Sequence, residues 1–448
     1  MPLTRESSKE ILKKAKAFAD EVEVYVNIRE HLKIDVLDQK VKSIDDVAES
    51  GLSIRLLKGD KMGFAYAADI DEHSIDGTIE LAASNMQSSS ADEYPHFPAP
   101  KNQSVKLELV DPVIERTKLE DKVKLALAIE RSAYDFDARI KKSEKISYED
   151  IRYTTMLLNS NGLDIYYQKA VCGAFADIIA EKNGSMESGS WLMFSNKYNG
   201  IDPAYIGSEA AKRAVSMLGA GREKSGGAPV ILSPYAATIL LSAIAPAFSA
   251  EFVQKGKSVF CGALGKPVAS RKLTIIDSGI LESGISTVPY DDEGIPTVET
   301  EIIKDGYLRS FLHNCYTAKK GKTSSTANSF RASFKSQPEI TPTNLYVKPG
   351  TKPQNEMIDA MSKGFLVMNI MGAHTINPIS GDFSIGFSGF LIENGKASKP
   401  VRGMTISGNM LELLNHVEEI GSDIMFFPHN GNIGSPSILI SNLSVSGT

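Results

Sequence analysis

Nothing in this sequence approaches the ~18 consecutive apolar residues that a membrane-spanning helix requires, and the opening stretch MPLTRESSKEILKKAKAFADEVEV holds no apolar core of signal-peptide length. A cytoplasmic protein with no membrane contact is therefore expected. Cysteine is scarce: Cys172, Cys261 and Cys315 are odd in number and far apart, which argues against a disulfide framework and for a reducing compartment. The seven histidines, His31, His73, His96, His313, His374, His416 and His429, never fall within six residues of one another, and neither HExxH nor CxxC occurs. Local zinc-hydrolase spacing is thus missing, and neither a metal nor another cofactor is expected. GxSxG is absent as well. Gly321-Lys322-Thr323 resembles the end of a phosphate loop, but the first glycine of that motif would fall on Tyr316. Gly219-Ala220-Gly221 follows a helical pattern rather than a strand, so it does not read as a dinucleotide turn. Basic residues are in slight deficit, 49 Lys plus Arg against 55 Asp plus Glu, and no positive stripe interleaved with aromatics is present. Nucleic acid is an unlikely partner on that balance.

What is present reads as three units. Residues 1–100 open with a helix capped by Ser7 or Ser8, with Ile11, Leu12, Ala15 and Phe18 at helical spacing. Period-two segments follow, at Val22–Val26, Leu32–Val36, Val41–Val47, Leu52–Leu56 and Met62–Tyr66. Turns are predicted at residues 29–31, 38–39, 50–51 and 58–60. A second helix spans roughly Asp71 to Met86, and residues 88–104, rich in Ser and Pro, read as a linker. Residues 105–220 carry a helix near Leu119–Phe136, strands turning at Asn159–Gly162 and Asn183-Gly184, and a helix from about Pro203 to Leu218. Residues 225–448 are richest in Gly and Pro and largely strand-like, with turns at Asp305-Gly306 and Asn394-Gly395. Few βαβ alternations occur. The predicted class is α+β: an N-terminal antiparallel sheet with flanking helices, a middle α/β segment, and a large, mostly β C-terminal domain.

The third unit is organised around Ser233–Gly265. Ser233 is a good N-cap and Pro234 a good first helical residue, and the helix that follows is apolar on every face until Pro246 ends or kinks it. It offers no acid, base or metal ligand before Glu251. Elsewhere, Asp291-Asp292-Glu293-Gly294 reads either as a solvated turn or as a cation site. Cys261 reads either as a nucleophile or as a buried or half-buried structural thiol. The polar loop Ser324–Arg331, with Asn328 and the lone Arg331, suits peptide or carboxylate recognition, and equally a mobile surface loop.

Several stretches, taken in order, resemble one family: Val22-Glu23-Val24-Tyr25, Gly51–Arg55, Gly63-Phe64-Ala65, DDEGIPT at 291–297, IIKDGYLRSFL at 302–312, SGDF at 380–383, LIENGK at 391–396 and SPSILISNLSVSG at 435–447. Together they span nearly the whole chain and resemble the TldD/PmbA family. That resemblance implies a cytosolic peptidase of two branches acting as a heterodimer, with an N-terminal α/β domain and a C-terminal domain that forms the dimer and substrate cavity. It also brings links to maturation of a microcin precursor and degradation of an antitoxin, and an older name, modulator of DNA gyrase.

The TldD branch carries a metal-binding HExxxH segment shortly before a G-x-S-x-F stretch, and a cysteine near its C-terminus. Counting back from Gly256, Ser258 and Phe260, the resemblance places Leu241, Ser242 and Pro246 at the His, Glu and His positions, and no tail cysteine follows Cys315. The chain thus resembles the PmbA branch, also called TldE, a catalytically silent partner whose associates are a TldD-type metallopeptidase subunit or a second copy, and a peptide substrate. Candidate substrate contacts are Asn328, Arg331, His374 and Asp382. The alternatives are an independently active homodimeric hydrolase, with a site around Cys261, His313 or Asp291–Glu293, and a gyrase or nucleic-acid modulator.

Overall fold

Strand β1 (Glu21–Leu37) shows why the first sheet forms. Its even-numbered residues Val22, Val24, Val26, Ile34 and Val36 are buried and apolar, while the odd-numbered ones, Glu23, Tyr25, Asn27, Arg29, His31, Lys33 and Asp35, are polar or aromatic. One phase holds across all 17 residues, so the turn expected at residues 29–31 does not form. Glu30, midway along the strand, is exposed and pairs with Arg152 at 3.3 Å.

A computed structural model describes residues 3–68, 71–103 and 105–447. Strands β1, β2 (Lys40–Lys58), β3 (Lys61–Ala67), β4 (Ile140–Asn159), β5 (Asp164–Lys182) and β6 (Ser185–Ser195) make one antiparallel sheet in the order β3-β2-β1-β4-β5-β6. The segments read as separate first and middle units therefore share a sheet, joined where β1 pairs with β4 from Glu23↔Asn159 to Val36↔Ile146. Helices α1 (Arg5–Ala15), α2 (Glu72–Ser88), α3 (Pro112–Arg116), α4 (Leu119–Phe136) and α5 (Pro203–Ser216) precede, separate and follow these strands. Four of them cover the even face: Ile11, Ile75, Ile79 and Met86 pack on Val22, Val24 and Val26, and Ala126, Ile129, Ile206 and Ala210 pack on Ile34, Val36, Ala174 and Ile178. The odd face is left to the C-terminal domain.

Three local readings are corrected. Thr4, rather than Ser7 or Ser8, caps α1: its hydroxyl accepts from the Ser7 N–H at 3.1 Å while Ser7 Oγ accepts from the Thr4 N–H at 2.9 Å. Gly51 lies inside β2, not at a turn. A Cβ there would sit 2.2 Å from the Phe334 ring, so this glycine marks a close approach by the C-terminal domain. Residues 88–103 are a fixed strap rather than a free linker: Phe97 is buried, Asn159 Nδ2 donates to the Pro98 carbonyl at 2.8 Å, and Gln103 Nε2 donates to the Pro289 carbonyl at 2.8 Å. Ser104, the last residue of that predicted linker, and residues 1, 2 and 448 at the limits of the predicted units lie outside the described residues.

Beyond residue 225 the strands are β7 (Gly226–Leu232), β8 (Ile275–Ser278), β9 (Glu299–Lys304), β10 (Tyr307–Leu308), β11 (Ser329–Phe330), β12 (Glu339–Ile340) and β13 (Asn344–Val347). They continue with β14 (Lys363–Met371), β15 (Asp382–Glu393), β16 (Lys396–Asn409), β17 (Val417–Ile420), β18 (Met425–His429), β19 (Gly431–Ser435) and β20 (Ile438–Ser446). One sheet runs β16-β15-β14-β7-β20-β17, and a further β16–β20 pairing closes five of its strands into a barrel. The other runs β10-β9-β8-β13-β19-β18. Helix α6 (Pro234–Ile244) lies between them: Leu240, Leu241 and Ile244 face Leu273, Ile275 and Val347 on one side and Met410, Leu413 and Ile438 on the other. That two-sided burial is why the helix is apolar all round. Its α-helical turns stop at Ile244, and Pro246 sits in the tighter turn Ala245–Phe248. Short helices α7 (Ala250–Gln254) and α8 (Cys315–Gly321) complete the neighbourhood. The α+β class read from the sequence is the one observed.

Candidate functional site at the junction of the sheets

The odd face of the first sheet meets the C-terminal domain through a buried ionic network. Glu23 and Arg55 are cross-strand partners on β1 and β2, with Arg55 Nε to Glu23 Oε1 at 2.7 Å and Nη2 to Oε2 at 2.6 Å. Arg331 arrives from the segment after β11. Its Nη2 donates to Glu23 Oε1, its Nη1 donates to Ser53 Oγ at 2.7 Å, and its guanidinium lies 4.3 Å from the Tyr25 ring centre. Burial alone would raise the Glu23 carboxyl, but Arg55 and Arg331 outweigh it and hold it below the usual carboxylate range.

The turn Asp291–Gly294 closes the network from above. All three carboxylates are buried, so it is neither solvated nor open to a cation from solvent. Each carboxylate caps backbone. Asp291 accepts from the Ile295 N–H at 2.8 Å and the Ser329 N–H at 3.2 Å; Asp292 accepts from the Arg331 N–H at 2.7 Å; Glu293 accepts from the Cys315 N–H at 2.8 Å. Four carboxylates face two guanidiniums here, and two of the four are held above the usual carboxylate range. Burial, reinforced by Glu293, pushes Asp291 well up, and burial pushes Asp292 up to about 6 in spite of Arg331. Among the described residues no group of three or more His, Cys, Asp or Glu is arranged to hold a metal ion.

Two cavities flank the segment Phe330–Ala332. One, of about 420 Å³, is bounded by Pro246, Ser249, Phe252 and Glu339. The other, of about 370 Å³, lies against the first sheet and is bounded by Tyr25, Tyr153, Tyr167, Lys169 and Asp292. Arg331 lines both.

The other expected residues are placed differently. Asn328 is fully buried, donating to Asp277 Oδ2 at 2.6 Å and to the Thr341 carbonyl at 3.2 Å, so it braces the loop instead of facing a cavity. His374 is exposed in the turn Ala373–Thr375. Asp382 is exposed at the start of β15, accepting from Asn409 Nδ2 at 2.9 Å. None of these three lines either cavity. The loop Ser324–Arg331 is not mobile surface either, since Ala327, Asn328 and Ser329 are buried. Cys261, expected to be at least half-buried, is exposed, and its one hydrogen-bonding neighbour among the described residues is the Val253 carbonyl. His313 is half-buried, and its Nδ1 has no partner among the described residues.

Leu241, Ser242 and Pro246 do not share a face. Leu241 is buried in the apolar seam, Ser242 is half-buried, and Pro246 borders the 420 Å³ cavity. Sequence reading missed Tyr153, Tyr167 and Lys169 altogether. It met Glu23, Tyr25 and Arg55 only inside the family resemblance. The available signal was charge at every second position: Glu23 between Val22 and Val24, Arg55 between Ile54 and Leu56, Lys169 two residues beyond Tyr167.

Three family models fit the chain in order: PmbA/TldA metallopeptidase domain 1 over residues 22–86, the central domain over 113–218 and the C-terminal domain over 225–447. The chain belongs to the PmbA/TldD family. Among its relatives, a metalloprotease PmbA homolog of Buchnera aphidicola is 28% identical over 443 residues, covering 98% of this chain and 96% of that protein. A Thermotoga maritima crystal structure, described as a proposed modulator of a DNA gyrase, superposes with TM-score 0.91 at 29% identity over 99% of this chain and all of that one. TldE from Thermococcus kodakarensis shares the fold with TM-score 0.91 at 23% identity, over 98% of this chain and 99% of its own.

A metallopeptidase family implies a metal, and the residues here do not fit one. Structural and catalytic zinc sites draw three or four ligands from Cys, His and carboxylate. The cavity beside Pro246 offers Glu339 alone. Among the described residues no helix is long and apolar enough to cross a membrane.

Proposed function

We propose that this PmbA/TldD-family chain is the PmbA/TldE-like subunit of a cytoplasmic TldD-type metallopeptidase system. On its own it is non-catalytic; paired with a metal-bearing TldD-type subunit, it supplies part of the chamber that holds an unfolded peptide. One observation carries the reading: the cavity bordering Pro246 has the size of a ligand site but one metal-capable side chain, in a chain whose relatives are named metalloproteases. Peptide capture is supported by β12, which pairs with β11 alone among the described strands and leaves an edge beside that cavity. An extended peptide can add to such an edge through main-chain hydrogen bonds, whatever its sequence.

The test is native mass and metal analysis of this chain, of a TldD-type partner, and of their mixture. A one-to-one complex with metal only on the partner is the expected result. No complex, or stoichiometric metal on this chain alone, rejects the proposal.

A further inference from the structure

The 370 Å³ cavity carries one charge that the fold leaves without a counterpart. Lys169 stands on β5 opposite Tyr153 on β4, one step along the sheet face from the pair Thr155↔Tyr167. The charged residues around the cavity are Lys169, Asp292 and Arg331. Arg331 is already committed to Glu23 and Ser53, and Asp292 accepts the Arg331 main-chain N–H. Lys169 has no ion pair and no hydrogen bond among the described residues. Burial holds its amine at about 8, and no acid stands close enough to offset that desolvation.

The rest of the wall favours an acceptor. Tyr153, Ser286 and Ser333 line the cavity with Lys169, as do Tyr25, Thr155 and Tyr167. An ammonium and several hydroxyl-bearing residues around one cavity, with a single aspartate in its lining, suit a monoanion. The second negative charge of a phosphate dianion would add repulsion from Asp292, and both Nη groups of Arg331 already donate, to Ser53 and Glu23.

We infer that this cavity is a carboxylate-binding subsite, in which Lys169 takes the anionic group of a bound peptide, either its free C-terminus or an acidic side chain. The inference rests on the peptide-binding reading above and names the substrate class within it. The two cavities share the wall Phe330–Ala332.

The experiment measures acylation of Lys169 by an amine-reactive ester, quantified by mass spectrometry on the full-length chain. The probes are N-acetyl-trialanine as the free acid, the same peptide as its amide, and N-acetyl-Ala-Glu-Ala-amide. The free acid is expected to slow labelling of Lys169 at least fivefold while the amide leaves it unchanged, and other lysines serve as internal controls. Protection by the glutamyl amide assigns the anion to a side chain, and protection by the free acid alone assigns it to the C-terminus.

Direct binding supplies the second readout. K169Q should weaken the protecting peptide about tenfold and leave the neutral amide unaffected, and K169R should retain most of the affinity. Equal protection by all three probes, the neutral amide included, overturns the carboxylate subsite while leaving peptide binding intact. Labelling indifferent to every probe overturns the subsite too. Failure of this chain to pair with a TldD-type subunit is a separate result and rejects the subunit reading alone.

Discussion

Arg331 donates to Glu23 across 308 residues of sequence, and both side chains are completely buried. The pair pins the C-terminal domain to the first sheet at the one point where both cavities meet. A buried ion pair contributes little net stability compared with an apolar replacement, but removal of one partner leaves a charge stranded. Arg331→Met should therefore cost about 3–5 kcal/mol in urea unfolding at neutral pH. Glu23→Gln with Arg331→Met should cost clearly less than the sum of the single changes. Additivity within error would show that the two residues do not act as a unit.

Buried carboxylates of the C-terminal domain give the stability a pH dependence of definite sign. Asp277 and Asp292 are each raised by burial to about 6 from an ordinary value of 3.8. A carboxyl whose folded value lies above its unfolded one stabilises fully below the unfolded value and loses that contribution as pH rises through the folded one. Between about pH 4 and pH 7 these groups thus favour the folded state increasingly as acid is added. Glu23 acts oppositely, its contribution being lost once pH falls below the usual carboxylate range. Asp292→Asn keeps an oxygen for the Arg331 N–H and should remove on the order of 2 kcal/mol of the difference in unfolding free energy between pH 4.5 and 7.5. An unchanged pH profile in that variant would place the titration elsewhere.

Gly51 and Phe334 form the second clasp between the domains. A methyl at position 51 would overlap the ring at 2.2 Å. Gly51→Ala should destabilise by about 1–3 kcal/mol, as overpacking does, and Phe334→Leu in the same chain should recover part of that loss. Thermal unfolding of the single and double variants decides it, and a neutral Gly51→Ala would mean that the contact is absent in solution.

How far the sequence could be read follows from which forces are local. The single phase of β1 from Val22 to Val36 was visible in the sequence, and so were the turns with positive φ at Asp38-Gln39, Asn183-Gly184, Asp305-Gly306 and Asn394-Gly395. Turn signals at residues 29–31 and 50–51 misled, because a charged triplet and a glycine each have a second meaning inside a long strand. Helix α6 was legible through Ser233, Pro234 and its uniform apolarity. The site was not: Glu23, Arg55, Lys169 and Arg331 come together only when two distant segments dock, and nothing within a few residues of any of them announces the others. Asp291–Glu293 looked like a surface turn because a run of acids normally is one. Its burial depends on the backbone N–H groups of Ile295, Ser329, Arg331 and Cys315.

The positions that the family resemblance places at metal ligands, Leu241, Ser242 and Pro246, also yield an expectation. Leu241 faces Met410, Leu413 and Ile438, away from the cavity that Pro246 borders. Leu241→His should cost about 2–4 kcal/mol, since it trades an apolar contact for an unsatisfied imidazole. The triple variant Leu241→His, Ser242→Glu, Pro246→His should bind zinc no better than millimolar by calorimetry. Micromolar zinc binding would show that positions 241 and 246 do converge.

We propose that this chain completes another subunit's peptidase and has none of its own. The most direct measurement is cleavage of an unfolded peptide by a metal-loaded TldD-type subunit alone, by this chain alone, and by the two mixed at equal concentration. No cleavage by this chain, little by the partner, and a gain of at least tenfold on mixing are expected. Cleavage by this chain alone that survives extensive chelation, or a mixture no faster than the partner, would contradict the proposal.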